Sequence, residues 1–134
     1  MIVAGANLIA YLLINGDRTP QAKKILIKDS EWVAPLLWRS EFRNVIGVYL
    51  RRGLVSLAQA LQITEEAEIL MSGGEYEVRT SHVLSLVASS RCSAYDCEFV
   101  ALAQELGVPL ITSDSNILAE FPALALAPGD FAAL

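Results

Sequence analysis

The spacing of apolar residues changes along the chain, and each change predicts an element. Met1–Ala4 is a short unbroken apolar run, the pattern of a buried strand. Asn7–Ile14 predicts a helix closed by the turn residues Asn15-Gly16-Asp17, and Pro20–Lys28 a second one with its lysines outward. Glu31–Ala34 predicts a strand. Pro35 then opens a long helix to Arg52, stopped by Gly53. Ser56 and Gln59 have capping-box spacing ahead of a helix reaching about Met71. Gly73-Gly74 breaks the chain, and Glu75–Arg79 alternates as a strand does. Thr80–Ser90 predicts a helix, and Ser93 caps another that ends at Leu106 before Gly107. Val108–Thr112 is an apolar strand, Ser115–Phe121 a short helix, and Leu124–Ala127 a weak final strand.

Strands separated by helical stretches predict a parallel sheet with right-handed crossovers. The fold class expected is α/β, a three-layer α/β/α sandwich around a parallel sheet of four to five strands. With 134 residues, and no repeat, linker or low-complexity tract, the chain is expected to form a single domain spanning 1–134. Apolar residues make up 54% of the chain and charged residues 19%. That surplus suits a sheet covered on both faces and leaves apolar surface for a subunit or a partner.

The formal net charge is −5, with Lys23, Lys24 and Lys28 clustered and the arginines scattered. Such a chain is a poor stand-alone binder of nucleic-acid backbone, because phosphate contacts need Lys or Arg. A polyanion would have to be held through a local basic patch, a metal ion or a basic partner. Cys92 and Cys97 match no common zinc or redox spacing, which points to reduced structural thiols and a cytoplasmic setting. No run is long enough for a membrane span, and the first apolar segment lacks the preceding Lys or Arg of a signal peptide.

Three carboxylates stand out. Glu41 falls within the apolar face that Leu37, Trp38, Phe42, Val45, Val48 and Tyr49 form on a helical wheel. A carboxylate there is costly unless something satisfies it, either a site or a buried partner such as Arg52. Asp96 flanks a stripe of Tyr95, Phe99, Leu102 and Leu106, with Glu98 and Glu105 on the polar flank. The same Asp96 completes a Ser93-x-x-Asp96 capping box. Asp114 directly follows the strand VPLIT, where it either caps the next helix or lies at a strand's carboxyl end beside the first strand. Together, carboxylates converging at strand ends with no nearby Lys make an oxygen-ligand site for Mg²⁺ or Mn²⁺. Such ions activate water and stabilise the leaving oxygen in phosphodiester cleavage.

The opening IVAGAN, the helix SEFRNVI and the block SAYDCEFVALAQELGVPLITSD together resemble the PIN-domain family, and within it the VapC-type toxin ribonucleases of toxin–antitoxin pairs. The likeness covers nearly the whole chain, and the last block is its most specific part. It implies a Mg²⁺-dependent endoribonuclease in which Glu41, Asp96 and Asp114 occupy acidic metal-binding and catalytic positions. Asn7 occupies a small polar position after the first strand. It also implies a homodimer held inactive by a cognate antitoxin protein. Family members usually carry Asp where this chain has Gly5, so activity is expected to be impaired here, and glycine is expected to fit the tight turn. A degenerate natural member or a substitution that silences a toxic nuclease would each carry this glycine.

RNA contacts are expected from Asn7 and Arg43, with Arg39, Arg51, Arg52 and the lysine cluster as further cations. The competing reading is a catalytically inactive module of the same fold that binds an antitoxin-like partner or RNA. A phosphoacceptor signalling domain fits poorly, because it wants a Lys near the last strands and every lysine precedes Glu31. His82 is expected to be a surface or partly buried helix residue without a role in chemistry.

Overall fold

A computed structural model describes residues 1–134. Its strands are β1 (Ile2–Ala4), β2 (Trp32–Pro35), β3 (Glu75–Tyr76), β4 (Leu110–Ile111) and β5 (Ala125–Leu126). Its helices are α1 (Ala6–Leu13), α2 (Thr19–Lys28), α3 (Trp38–Arg51), α4 (Leu57–Leu70), α5 (Thr80–Ser89), α6 (Ala94–Leu106), α7 (Ser115–Glu120) and α8 (Pro128–Ala133). The strands form one sheet in the order β3-β2-β1-β4-β5, every pair parallel. The register sets Val3 beside both Val33 and Leu110, and Ala4 beside Ile111. This is the expected α/β architecture with five strands.

Strand order reverses direction once. From β1 the chain moves outward through β2 to β3, then crosses back to β4 on the other side of β1. Right-handed crossovers place the helices of the two runs on opposite faces. The packing follows that division: α1 lies against α2, α3 and α4, whereas α6 lies across β1, β2 and β4 with α5 outside it. The central strands are therefore buried on both faces, and Ile2, Val3, Ala4, Leu110 and Ile111 have 0–1% exposure. That is why they read as unbroken apolar runs rather than alternating ones.

Local signals fix most boundaries. Ser56 Oγ accepts from Gln59 N at 3.1 Å and Gln59 Oε1 accepts from Ser56 N at 2.8 Å, the full capping box. Gly107 ends α6 in the left-handed region at φ 66°, as the C-terminal glycine signal predicts. Trp38 stacks edge-on with Phe42 at 5.9 Å and donates Nε1–H to Glu75 Oε2 at 2.8 Å. Arg39 holds the same carboxylate in a fork (2.6 and 2.9 Å), which ties α3 to the edge strand β3 and keeps Glu75 below the usual carboxylate range.

Three expectations are corrected, and one element is added. Pro35 belongs to β2 and α3 starts only at Trp38, since pairing with β3 runs on through Pro35 and the Leu36 N–H still donates to the Tyr76 carbonyl oxygen at 3.1 Å. Beyond the last predicted element the chain forms a further helix, α8, where Pro128 sits at the first helical position and Phe131 packs down under the Lys28 ammonium. The buried stripe of α3 is Trp38, Phe42 and Ile46, with Leu37, Val45, Val48 and Tyr49 only half-buried. Tyr95 is 64% exposed, because α6 buries a broad face from Cys97 to Ala103 against the sheet while its first turn projects past the strand ends.

No helix is long and apolar enough to cross a membrane. Cys92 and Cys97 are both free and buried. Burial is the main cause that pushes the Cys92 thiol up to about 11, and it also raises Cys97. Neither is a nucleophile at neutral pH.

Candidate active site at the carboxyl ends of the central strands

The chain leaves β1 and β4 side by side and turns at once into helices. Between those turns lies an open cleft of about 400 Å³. This is the point where strand order reverses, the usual ligand crevice of an open α/β sheet. Gly5, Ala6 and Asn7 contribute from the β1–α1 turn, and Thr112 and Asp114 from the end of β4. Ser40, Glu41 and Asn44 come from α3, and Tyr95 and Asp96 from α6. Three carboxylates that are 55 and 18 residues apart along the chain thus share one wall-to-wall space, and no Lys or Arg lines it.

Each carboxylate stands at the start of a helix. Glu41 is in the first turn of α3, Asp96 in the first turn of α6, and Asp114 is the N-cap of α7. Their helix dipoles favour negative charge there. Asp114 Oδ1 accepts from Ile117 N at 2.9 Å, so one of its oxygens caps the helix. Ser93 Oγ accepts from Asp96 N at 3.1 Å, the N-cap bond expected from the sequence. The capping roles read for Asp114 and Ser93 are therefore real and coexist with a place in the cleft.

The electrostatics show that the cluster lacks compensation. Burial first, then repulsion from Asp96, Glu98 and Asp114, pushes the Glu41 carboxyl up to about 7. Burial and then Asp114 also raise Asp96, against hydrogen bonding from Ser93. Glu41 has no ion-pair partner, so Arg52, exposed at the end of α3, does not neutralise it. Glu41 also does not point into the core. It lies at the edge of the apolar face, beside Leu37 and Val45, which line the cleft as well. Glu98, placed by the sequence on a polar flank, is half-buried and close enough to Glu41 to raise it.

The donor set is all oxygen: carboxylates, the hydroxyls of Ser40 and Thr112, and the amides of Asn7 and Asn44. That chemistry suits a hard divalent cation. No group of three His, Cys, Asp or Glu side chains is arranged as a ready-made cage for an ion.

Gly5 occupies the N-cap of α1 at φ −64° and ψ 152°, an extended geometry open to any residue. Glycine fits this turn as expected, but no special backbone conformation requires it. What limits position 5 is space: a Cβ would lie 3.3 Å from the Ile111 carbonyl oxygen and 3.4 Å from Thr112 Oγ1.

Residues 2–124 match the sequence profile of the PIN domain. The chain belongs to the PIN domain family. Across 126 residues, 92% of this PIN domain chain and 96% of the relative, it is 28% identical to Ribonuclease VapC3 of Pyrobaculum aerophilum. Its fold is similar to the crystal structure of PAE2754 from the same organism, with a TM-score of 0.78 and 18% identity over 98% of this chain and 93% of that one. It is also similar to a chain of a toxin–antitoxin complex from Klebsiella pneumoniae, with a TM-score of 0.70 and 17% identity over 96% and 98% of the two chains.

Among the residues read from sequence, Asn7, Glu41, Asp96 and Asp114 line the cleft of this PIN domain. Arg43 does not; it is exposed on α3 away from the lining. His82 is also remote: its Nε2 lies 2.7 Å from Gln104 Oε1 across the α5–α6 contact. Sequence reasoning missed Ser40, Asn44 and Thr112. Asn44 was within reach of it, three residues from Glu41 and hence on the same helical face. Thr112, two residues before Asp114 at the end of an apolar strand, gave a similar signal.

Proposed function

We infer that this chain is a VapC-like PIN ribonuclease, the toxin of a toxin–antitoxin pair, that cleaves RNA with Mg²⁺ or Mn²⁺ and is impaired by Gly5. The observation that carries the reading is the cleft itself, where three carboxylates from three separate elements converge with no cation to balance them. The similarity to Ribonuclease VapC3 supports the substrate class.

Glu41, Asp96 and Asp114 would hold the metal, and a Mg²⁺ site needs only one or two direct carboxylates with water completing the shell. The bound ion would supply charge neutralisation and a more acidic water. This chain's own groups do the rest. The free oxygen of Asp114 and the Asp96 carboxylate face the cleft from opposite helices, and Asn7 and Asn44 offer amide donors to phosphate oxygens. Burial and the neighbouring acids hold the Glu41 carboxyl up at about 7 in the metal-free cleft, so metal binding there is expected to displace a proton from it. Asp at position 5 would add a further carboxylate at the junction of β1 and α1.

A cognate antitoxin, a homodimer and a cytoplasmic setting belong to the same reading. The toxin–antitoxin assembly of the Klebsiella neighbour supports a protein partner. Exposed Leu54, Leu57 and Leu61, at 62–65% exposure, provide the surplus apolar surface that an assembling protein carries.

The decisive experiment restores the missing acid. Gly5→Asp incubated with single-stranded RNA and Mn²⁺ is expected to cleave it, EDTA to stop cleavage, and the unaltered chain to cleave at least about a hundredfold more slowly. A revertant that folds, binds Mn²⁺ and still leaves every RNA intact would favour the inactive binding module.

A further inference from the structure

An acidic protein that grips RNA needs a cation near its cleft, and none lines it. Two cations are engaged elsewhere: Arg39 is held by Glu75, and Lys28 bonds the Leu134 carbonyl oxygen over Phe131. Among the exposed arginines outside any ion pair, Arg18 is the one that rests on a tyrosine whose hydroxyl reaches the residue beside Asp114. Its guanidinium lies 5.0 Å from the centre of the Tyr11 ring, and Nη1 donates to the Tyr11 hydroxyl at 3.4 Å.

Tyr11 joins this cation to the cleft by two routes. Its hydroxyl lies 3.2 Å from Ser113 Oγ, and Ser113 stands between Thr112 and Asp114. Tyr11 also follows Asn7 by four residues on α1, which puts it on the same helical face about one turn further on. The α1–α2 loop that carries Arg18 is anchored in turn, since Thr19 Oγ1 donates to the Tyr11 carbonyl at 2.7 Å and accepts from Gly16 N at 3.0 Å. The guanidinium is thus presented from a fixed loop with several N–H donors unused.

We propose that Arg18, braced on Tyr11 and through it on Ser113, binds a backbone phosphate of the RNA strand next to the one seated in the carboxylate cleft. Arg is the cation suited to this, because its planar fork can keep its hold on an aromatic ring while presenting two N–H groups to phosphate oxygens. The proposal rests on the RNA-cleaving reading above.

Binding of a fluorescein-labelled single-stranded RNA, with Mn²⁺ present, tests it by anisotropy across a salt series. The proteins are the full chain, Gly5→Asp, Arg18→Ala, Arg18→Lys and Tyr11→Phe. Arg18→Ala is expected to weaken binding about five- to tenfold, and to flatten the slope of log K against log salt by about 0.7, the signature of one lost single-strand phosphate contact. Arg18→Lys is expected to restore the slope with only part of the affinity. Tyr11→Phe is expected to weaken binding while keeping the slope, because the charge and the ring remain but the hydroxyl's bonds to Arg18 and Ser113 are lost. Arg18→Ala with unchanged affinity and slope, in a chain that itself binds RNA, overturns the proposal and leaves Arg18 as a support of its loop. RNA binding absent from both the unaltered chain and Gly5→Asp overturns the functional reading, and this proposal with it. Should Arg18→Ala lower the melting temperature, Arg18→Gln, which keeps the stem and loses the charge, must show the same change of slope; failure to do so also overturns the proposal.

Discussion

Glu41 is the residue whose environment most departs from that of an ordinary exposed carboxylate. Burial and its acidic neighbours raise its pKa from 4.5 to about 7. The folded chain therefore takes up this proton more readily than the unfolded one. The stabilisation that protonation brings is fully present below about pH 4.5 and is lost as pH rises through 7. Glu41→Gln keeps the shape and removes the charge. In metal-free protein it should raise unfolding free energy by about 1–2 kcal/mol near pH 8, a figure reduced for the half-exposed site, and the gain should vanish near pH 4.5. Urea titrations at the two pH values check this. Position 5 makes a second test at this scale. Because the backbone there is ordinary and a Cβ would press only lightly on the Ile111 carbonyl and Thr112 Oγ1, Gly5→Ala should cost no more than about 1 kcal/mol by the same measurement.

At the scale of elements, all three cleft acids also belong to helix starts. Asp114 caps α7 with one oxygen and faces the cleft with the other. Asp114→Asn retains an N-cap acceptor and should leave stability within a few tenths of a kcal/mol. Asp114→Ala should lose about 1 kcal/mol. On the proposed function, both should abolish Mn²⁺ binding by calorimetry in the Gly5→Asp background. That pattern would separate the structural role of the side chain from its charge, whereas Mn²⁺ binding that survives both substitutions would remove Asp114 from the metal site. At the other end of α6, Gly107 holds the left-handed turn with open space around it. Gly107→Ala should cost about 1–2 kcal/mol through backbone conformation alone.

At the scale of the whole molecule, the cleft exists because strand order reverses beside β1. A metal that binds only where the acids are assembled binds the folded state and not the unfolded one. In Gly5→Asp, Mn²⁺ at about a hundred times its dissociation constant should therefore add about 2.7 kcal/mol to stability, and EDTA should remove it. Thermal melts with and without the metal measure this. A combined Glu41→Gln, Asp96→Asn change in that background should erase the increment.

The sequence by itself determined the order and class of the elements. Apolar runs at Ile2–Ala4 and Leu110–Ile111, the capping box at Ser56 and the glycine stop at Gly107 are local signals, and local sterics and hydrogen bonding suffice to read them. It also singled out Glu41, Asp96 and Asp114, because a carboxylate near an apolar face or a strand end is anomalous wherever the chain goes. Only the tertiary structure decided what those residues meet. Glu41 borders a cleft rather than the core, Tyr95 stands clear of the sheet, Arg43 faces away, and Thr112 and Asn44 join the lining. Pro128 starts a helix because Phe131 finds a place against α2. These outcomes depend on which distant surfaces the crossovers bring together, and no spacing along one segment carries that information.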